Sequence, residues 1–187
     1  MQGLEKKIKG LIFGAIGRWC DGSIDTSPSV LSFSFPSSSS GRMKVLIQRV
    51  LEASVNVDGK TISSIGKGLL LFVCVMKGDT QTQAEYLAKK CAELRVFENE
   101  EGKFHFSALD LGHEMLVVSQ FTLAADGKEG RRPSFEQAEE PEKAKALCDV
   151  FCAELRKLGV HVAEGIFGAD MKVALTNDGP VTLVVEG

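Results

Sequence analysis

The sequence predicts an α+β domain from Met43 onward, because strand patterning dominates, only two stretches carry helical spacing, and turn residues punctuate the strands. Val45, Ile47 and Val50, then Ala53, Val55 and Val57, repeat near period 2. Asp58-Gly59 follows, and then the stretch from Thr61 to Ile65. That order predicts strand, strand, tight hairpin, strand. After Gly66-Lys67-Gly68, the apolar run Leu69 to Met76 predicts a buried strand. Residues 82–96 place Tyr86/Leu87, Cys91 and Leu94 on one face, with Thr82-x-x-Glu85 as a capping box, and predict an amphipathic helix. Met115 to Leu123 predicts a further strand. Residues 141–158 predict the second helix, with Pro141 in its first turn and Gly159 just past its end. Three extended stretches finish the chain, at 160–163, 171–175 and 181–185, the last two split by the turn Asn177-Asp178-Gly179-Pro180. Two helices among so many strands fit helices packed on one side of antiparallel sheets.

Residues 1–42 have a different character. They carry Lys6, Lys7 and Lys9, a short apolar piece, and Ser/Pro-rich sequence from Ser27 through Ser40. Lysines followed by serines resemble an organellar transit peptide, whereas scarce arginine and the acids Glu5, Asp21 and Asp25 count against one. The readings are import into a chloroplast or mitochondrion, a disordered tail on a cytoplasmic protein, and a domain that begins at Met43. Residues 43–187 form the folded domain in each case.

Bulk properties remove several function classes. The chain has 187 residues, 44% of them hydrophobic and 25% charged. No run approaches the roughly 18 apolar residues of a membrane-spanning helix. A net charge of −3 argues against coating nucleic acid through a broad basic surface. Any RNA contact is therefore local, and the one dense basic cluster is Lys128, Arg131 and Arg132. The five cysteines, Cys20, Cys74, Cys91, Cys148 and Cys152, show no Cys-x-x-Cys spacing and read as reduced thiols. Cys148 and Cys152 would share a helix face as small core residues. His105, His113 and His161 are scattered without ligand spacing, so neither a metal nor a cofactor is expected.

Common hydrolase signatures are missing, including the Gly-x-Ser-x-Gly elbow, His-Glu-x-x-His and the Walker phosphate loop. Two segments differ from ordinary strand and turn. In Ser119-Gln120-Phe121-Thr122-Leu123 polar groups interrupt a strand, and alternation puts Ser119 and Phe121 on one face and Gln120 and Thr122 on the other. A half-exposed strand end would look the same. In Asn177-Asp178-Gly179-Pro180-Val181-Thr182, Gly-Pro between strands is either a plain turn or a rigid presentation of two carbonyls.

These two segments resemble the Ser-Gln-x-Thr and Asn-x-Gly-Pro-x-Thr motifs of the D-aminoacyl-tRNA deacylase family. Further matches follow in the family's order: Gln48-Arg49-Val50, Gly130-Arg131-Arg132-Pro133-Ser134-Phe135, and Phe167-Gly168-Ala169-Asp170-Met171. The resemblance covers Met43 to Gly187. Ala124 departs from it, standing where many members have an aromatic residue, which bears on the rim of the pocket.

The resemblance implies a homodimer of barrel-like domains in which Gly179 and Pro180 of each subunit enter the other's pocket. It also implies cleavage of the ester between a D-amino acid, or glycine, and the 3′ end of tRNA. Ser119, Gln120, Phe121 and Thr122 would position the ester. Asn177 and Thr182 belong to the Gly-Pro motif, Arg49 would hold that motif, and Phe135 and Met171 would surround the terminal adenine. Ordinary roles for the last three are a surface ion pair for Arg49 and core packing for Phe135 and Met171. Two mechanisms stand open. Thr122 could attack as a nucleophile, although no histidine or lysine adjacent in sequence supplies a base. Alternatively, the ribose 2′-hydroxyl acts on the ester while backbone N–H groups near Phe121 and Thr122 hold the oxyanion, which accounts for the missing titratable groups. Rival functions are a non-catalytic tRNA-binding module and a related L-alanyl-tRNA deacylase.

Overall fold

The computed structural model describes residues 42–127 and 131–187. The expected import signal or tail therefore lies outside the described residues, as does Lys128. Where the spacing predicts two strands before the hairpin, the chain forms a single 14-residue strand, β1 (Lys44–Val57). Asp58 and Gly59, with φ of 51° and 75°, turn it into β2 (Lys60–Ile65). Residues 53–57 of β1 pair with β2, and residues 44–50 pair with β3 (Gly68–Cys74), both antiparallel. Thus β2 and β3 follow one edge of β1 in succession, interrupted at Gly66 and Lys67.

The opposite edge of β1 is covered by β8 (Lys172–Glu186), again as one strand where the sequence predicts two. Asn177 to Pro180 do not reverse the chain. Gln48 is opposite Thr182 and Val50 opposite Asn177, so residues 178–181 stand against Arg49 alone and the strand bulges there, with the Val181 side chain buried in the core. Both halves of β8 pair with the same strand in the same direction, which a hairpin would prevent.

A bend in β1 separates two cores. Val45 and Ile47 point into one, whereas Val50, Ala53 and Val55 point into the other; the odd-numbered side chains change sides at Leu51 and Glu52, both exposed. In β3 and in β6 (Glu114–Ser119), successive residues serve alternate cores. Leu69, Leu71, Met115 and Val117 face the helical side, and Leu70, Leu116 and Val118 fill the interior of the curved sheet. Burial on both faces explains why these strands read as continuous apolar runs.

The sheet is mixed, which corrects the expectation of antiparallel pairing throughout. β3 pairs with β6 in parallel, and β6 pairs in parallel with β7 (Val162–Glu164). The cause is the pair of helical crossovers, since parallel neighbours require a long connection. The first contains α1 (Gln81–Glu93) and a four-residue helix, α2 (Ala108–Leu111). The second contains α3 (Pro141–Lys157). The α+β class holds, with three helices rather than two. β2 approaches β6 and β7, so the sheet nearly closes on itself.

On α1, Ala84, Leu87, Ala88, Cys91 and Ala92 recur at helical spacing and are buried. Its capping box uses Thr80 and Gln83 rather than Thr82 and Glu85, the Thr80 N–H donating to Gln83 Oε1 at 2.8 Å. Leu147, Cys148, Phe151, Cys152 and Leu155 form the matching stripe of α3. Cys148 and Cys152 thus share the buried face that their spacing predicts. All four described cysteines are free and buried. Among the described residues, no helix is long and apolar enough to cross a membrane.

Candidate active site

β6 stops at Ser119, short of the expected end at Leu123. Gln120 still donates its N–H to the Val73 carbonyl at 2.8 Å, but Phe121 to Ala124 coil into a 3₁₀ turn. The alternation expected for Ser119 through Thr122 therefore fails. Ser119, Gln120 and Phe121 all line one cavity, of about 550 Å3. Thr122 is exposed, and its hydroxyl accepts from the Gln120 side-chain amide. The Phe121 and Thr122 N–H groups open the turn and have no partner within it. Cys74 braces the turn from below, its thiol 3.6 Å from the Phe121 carbonyl.

Met171 and Phe167 also line the cavity. A Cβ on Gly165 would sit 2.5 Å from the Met171 sulfur, so glycine is what lets this side chain occupy its place. Phe135 stands at the rim rather than in the wall, its ring edge-to-face with Phe121 at 5.3 Å between centroids. Phe121 is 60% exposed and Phe135 half-buried. Arg131 and Arg132 are exposed in the same loop.

The cavity also holds residues that sequence spacing did not nominate. Ala138, Glu139, Ala144 and Cys148 line it from α3 and the segment before it. Lys143 bonds Glu139 at 2.6 Å and, together with the Glu140 and Gly78 N–H groups, holds its carboxyl below the usual range. Burial pushes the Cys148 thiol up to about 12 and the Cys74 thiol to about 11, so neither supplies a thiolate near neutral pH.

A second group of predicted residues lies outside this cavity. Gly179 and Pro180, joined by a cis peptide bond, are exposed on the β8 bulge, as are Asn177 and Thr182. Gln48 ties the two ends of the bulge together, its side-chain amide donating to Asn177 Oδ1 at 3.2 Å and to Thr182 Oγ1 at 3.5 Å. Arg49 is 5% exposed and lies beneath. Its Nε donates to the Asp178 carbonyl at 3.2 Å and is 3.0 Å from the Asp178 carboxylate. The same guanidinium donates to the Val96 carbonyl, is 3.6 Å from Glu98, and lies 5.8 Å from the Phe104 ring centre. A surface ion pair, the ordinary alternative for Arg49, is thereby replaced by a buried brace.

Val96, Glu98 and Phe104 were not foreseen as partners of Arg49. Glu98 and Phe104 are paired residues of a small hairpin, β4 (Phe97–Glu98) with β5 (Phe104–Phe106), and Val96 immediately precedes it; the Gly102 turn was the signal available in the sequence. Among the described residues no cluster of His, Cys, Asp and Glu is arranged to hold a metal ion.

A largely apolar cavity beside a 3₁₀ turn, on a nearly closed α+β sheet, has the concave, mostly apolar lining of a small-molecule binding site. Comparison with known proteins narrows this. The family model described as D-Tyr-tRNA(Tyr) deacylase matches residues 46–186, and the chain belongs to that family. A protein of Thermomicrobium roseum named D-aminoacyl-tRNA deacylase is 59% identical over 141 residues, covering 75% of this chain and 92% of that one. One of the same name from Aquifex aeolicus is 51% identical over 144 residues, covering 77% and 97%. The solved structure of a c-Myc DNA unwinding element binding protein superposes with a TM-score of 0.72 at 40% identity, over 77% of this chain and 98% of that one. A probable eukaryotic D-amino acid tRNA deacylase shares the fold, with a TM-score of 0.68 at 18% identity.

Proposed function

We propose that the protein is a D-aminoacyl-tRNA deacylase, a hydrolase that cleaves the ester joining a D-amino acid to the 3′ end of tRNA. Family membership and the names of relatives identical over more than half of the aligned positions support the activity. The observation that carries the site assignment is the separation of the two motifs. Ser119, Gln120 and Phe121 line the cavity, while Gly179 and Pro180 stand on the surface, outside it, on a strand braced by Arg49.

In this reading the cavity, with Met171 in its wall and Phe135 at its rim, receives the terminal adenosine, and Gly179-Pro180 of a second subunit completes the pocket. A rigid backbone wall at the α-carbon refuses an L side chain whatever its identity, so a single site accepts many D-amino acids. Glycine, having no side chain to reject, is accepted as well. The cleavage is a hydrolysis in which the ribose 2′-hydroxyl assists attack on the ester and the Phe121 and Thr122 N–H groups stabilise the oxyanion. The exposed Thr122 hydroxyl, bonded to an amide rather than to a base, favours this over direct attack by threonine.

The test is a deacylation assay with matched D- and L-tyrosyl-tRNA. Rapid release of the D-amino acid with the L ester intact is expected, and equal rates would sink the chirality assignment. Light scattering is expected to show a dimer, and an active monomer would remove the shared pocket.

A further inference from the structure

Asp79 lies in the link between β3 and α1 and is 1% exposed. Its Oδ2 accepts the Met76 N–H at 2.6 Å and its Oδ1 the Met43 N–H at 3.1 Å. Met43 is fully buried, and its carbonyl in turn accepts the Gly187 N–H at 3.2 Å. Arg42, one residue earlier, is exposed. The Met43 nitrogen is thus fixed against a buried carboxylate while the bond before it reaches the surface.

Among the described residues, the hydrogen-bond donors to this anion are the neutral Met43 and Met76 amides, and a buried charge is costly unless it is paired with an opposite one. Burial raises the Asp79 pKa above the usual carboxylate range despite both N–H groups and Lys143, and Glu139 adds to the rise. The deacylase site does not use Asp79. The match to the c-Myc DNA unwinding element binding protein spans nearly all of that chain, and what it leaves of this one is about the size of the segment before Met43.

We infer that Asp79 is the seat of a free amino terminus: in a chain whose first residue is Met43, the α-ammonium group takes the place of the Met43 amide and pairs with the Asp79 carboxylate inside the domain. Such a chain arises in either of two ways. Water adding across the Arg42–Met43 peptide bond leaves a carboxylate on Arg42 and an ammonium on Met43, and synthesis beginning at Met43 leaves the same ammonium. The nitrogen need not move, because it already lies at hydrogen-bond distance. The exchange adds a positive charge and further N–H donors where the anion has only neutral ones.

The inference is tested with three forms: the whole chain, the chain beginning at Met43, and that shorter chain acetylated on its amino group, with termini checked by mass spectrometry. The shorter chain corresponds to almost the full length of the matched relatives. Each is compared with its Asp79→Asn variant by denaturant unfolding at pH 7. In the free-amine form, Asp79→Asn is expected to lower the folding equilibrium constant at least tenfold more than in the acetylated form or the whole chain, because it leaves a buried ammonium without its partner. An equal effect in all three forms overturns the proposal. If the variants do not fold, the unsubstituted free-amine chain decides. Its α-amino pKa, followed by NMR, is expected well above the usual range of about 7.7–8.0, and an ordinary value overturns the proposal.

Discussion

Arg49 and Asp178 are joined twice: one guanidinium nitrogen, Nε, donates to the Asp178 backbone carbonyl and lies 3.0 Å from its carboxylate. The residue immediately before Gly179 is thereby anchored to the strand that the bulge faces. The guanidinium's two other nitrogens are directed to Val96 and Glu98, so a single side chain ties β8 to the β4–β5 hairpin.

Lysine, with one nitrogen, cannot serve all of these partners. Arg49→Lys is therefore expected to lose about 2–3 kcal/mol of stability by urea unfolding, in keeping with broken hydrogen bonds to a charged group. It is also expected to slow single-turnover deacylation at least tenfold under conditions where the protein stays folded. A wild-type rate in a destabilised variant would confine Arg49 to a structural part.

Thr122→Ala is expected to retain substantial turnover, whereas tRNA ending in 2′-deoxyadenosine should be nearly inert. The Thr122 hydroxyl bonds Gln120 and no base, which leaves the ribose to assist the reaction. Local displacement of the turn's N–H groups could still cost up to about 10²-fold. Single-turnover rates with binding measured separately settle the matter, since a dead variant that binds, beside a live deoxy substrate, would make Thr122 the nucleophile.

The thiols near the cavity should be inert at neutral pH. Burial raises Cys148 to about 12, with Asp149 adding to the effect; burial raises Cys74 to about 11 in spite of Lys44 and the Ala124 N–H. An acid with a raised pKa stays protonated until the pH approaches that value, so reactive thiolate accumulates only in strong alkali. Timed iodoacetamide treatment at pH 7.5 should label both at least 10³-fold more slowly in native than in denatured protein, read by mass spectrometry. Fast native labelling of Cys148 would mean that the cavity opens more widely.

Gly68→Ala should separate two strands. A Cβ there would lie 2.0 Å from the Glu114 carbonyl oxygen, a backbone atom that cannot swing aside. A loss of about 2–4 kcal/mol by denaturant unfolding is expected, at the upper end for overpacking. A change under about 0.5 kcal/mol would show that β3 and β6 have slack at their start.

Local features were legible in the sequence. Asp58-Gly59 marked its hairpin, and Pro141 with Gly159 bracketed α3 to within a residue or two. What depends on a distant partner was not. Asn177 to Pro180 carry turn chemistry, yet whether such residues reverse a strand or bulge from it is decided by β1, which pairs on both sides of them. Similarly, nothing near Arg49 in sequence announces Val96 or Asp178. The polar interruption at Ser119–Thr122 was visible as an anomaly, but periodicity could not reveal that β6 ends there, because the hydrogen bonds that end it come from the fold. The parallel pairings were missed for a related reason: the helices were recognised, and their use as crossovers was not drawn from them.

The Met43 carbonyl and the Gly187 N–H, bonded across the outer end of the sheet, bring the first and last residues of the domain side by side. A short linker could join them without crossing the molecule, and the Asp58-Gly59 hairpin, with both residues exposed, offers a place to open new termini. The order of segments along the polypeptide is therefore separable from the architecture: a circularly permuted gene would encode the same arrangement of strands and helices, with cavity and bulge intact.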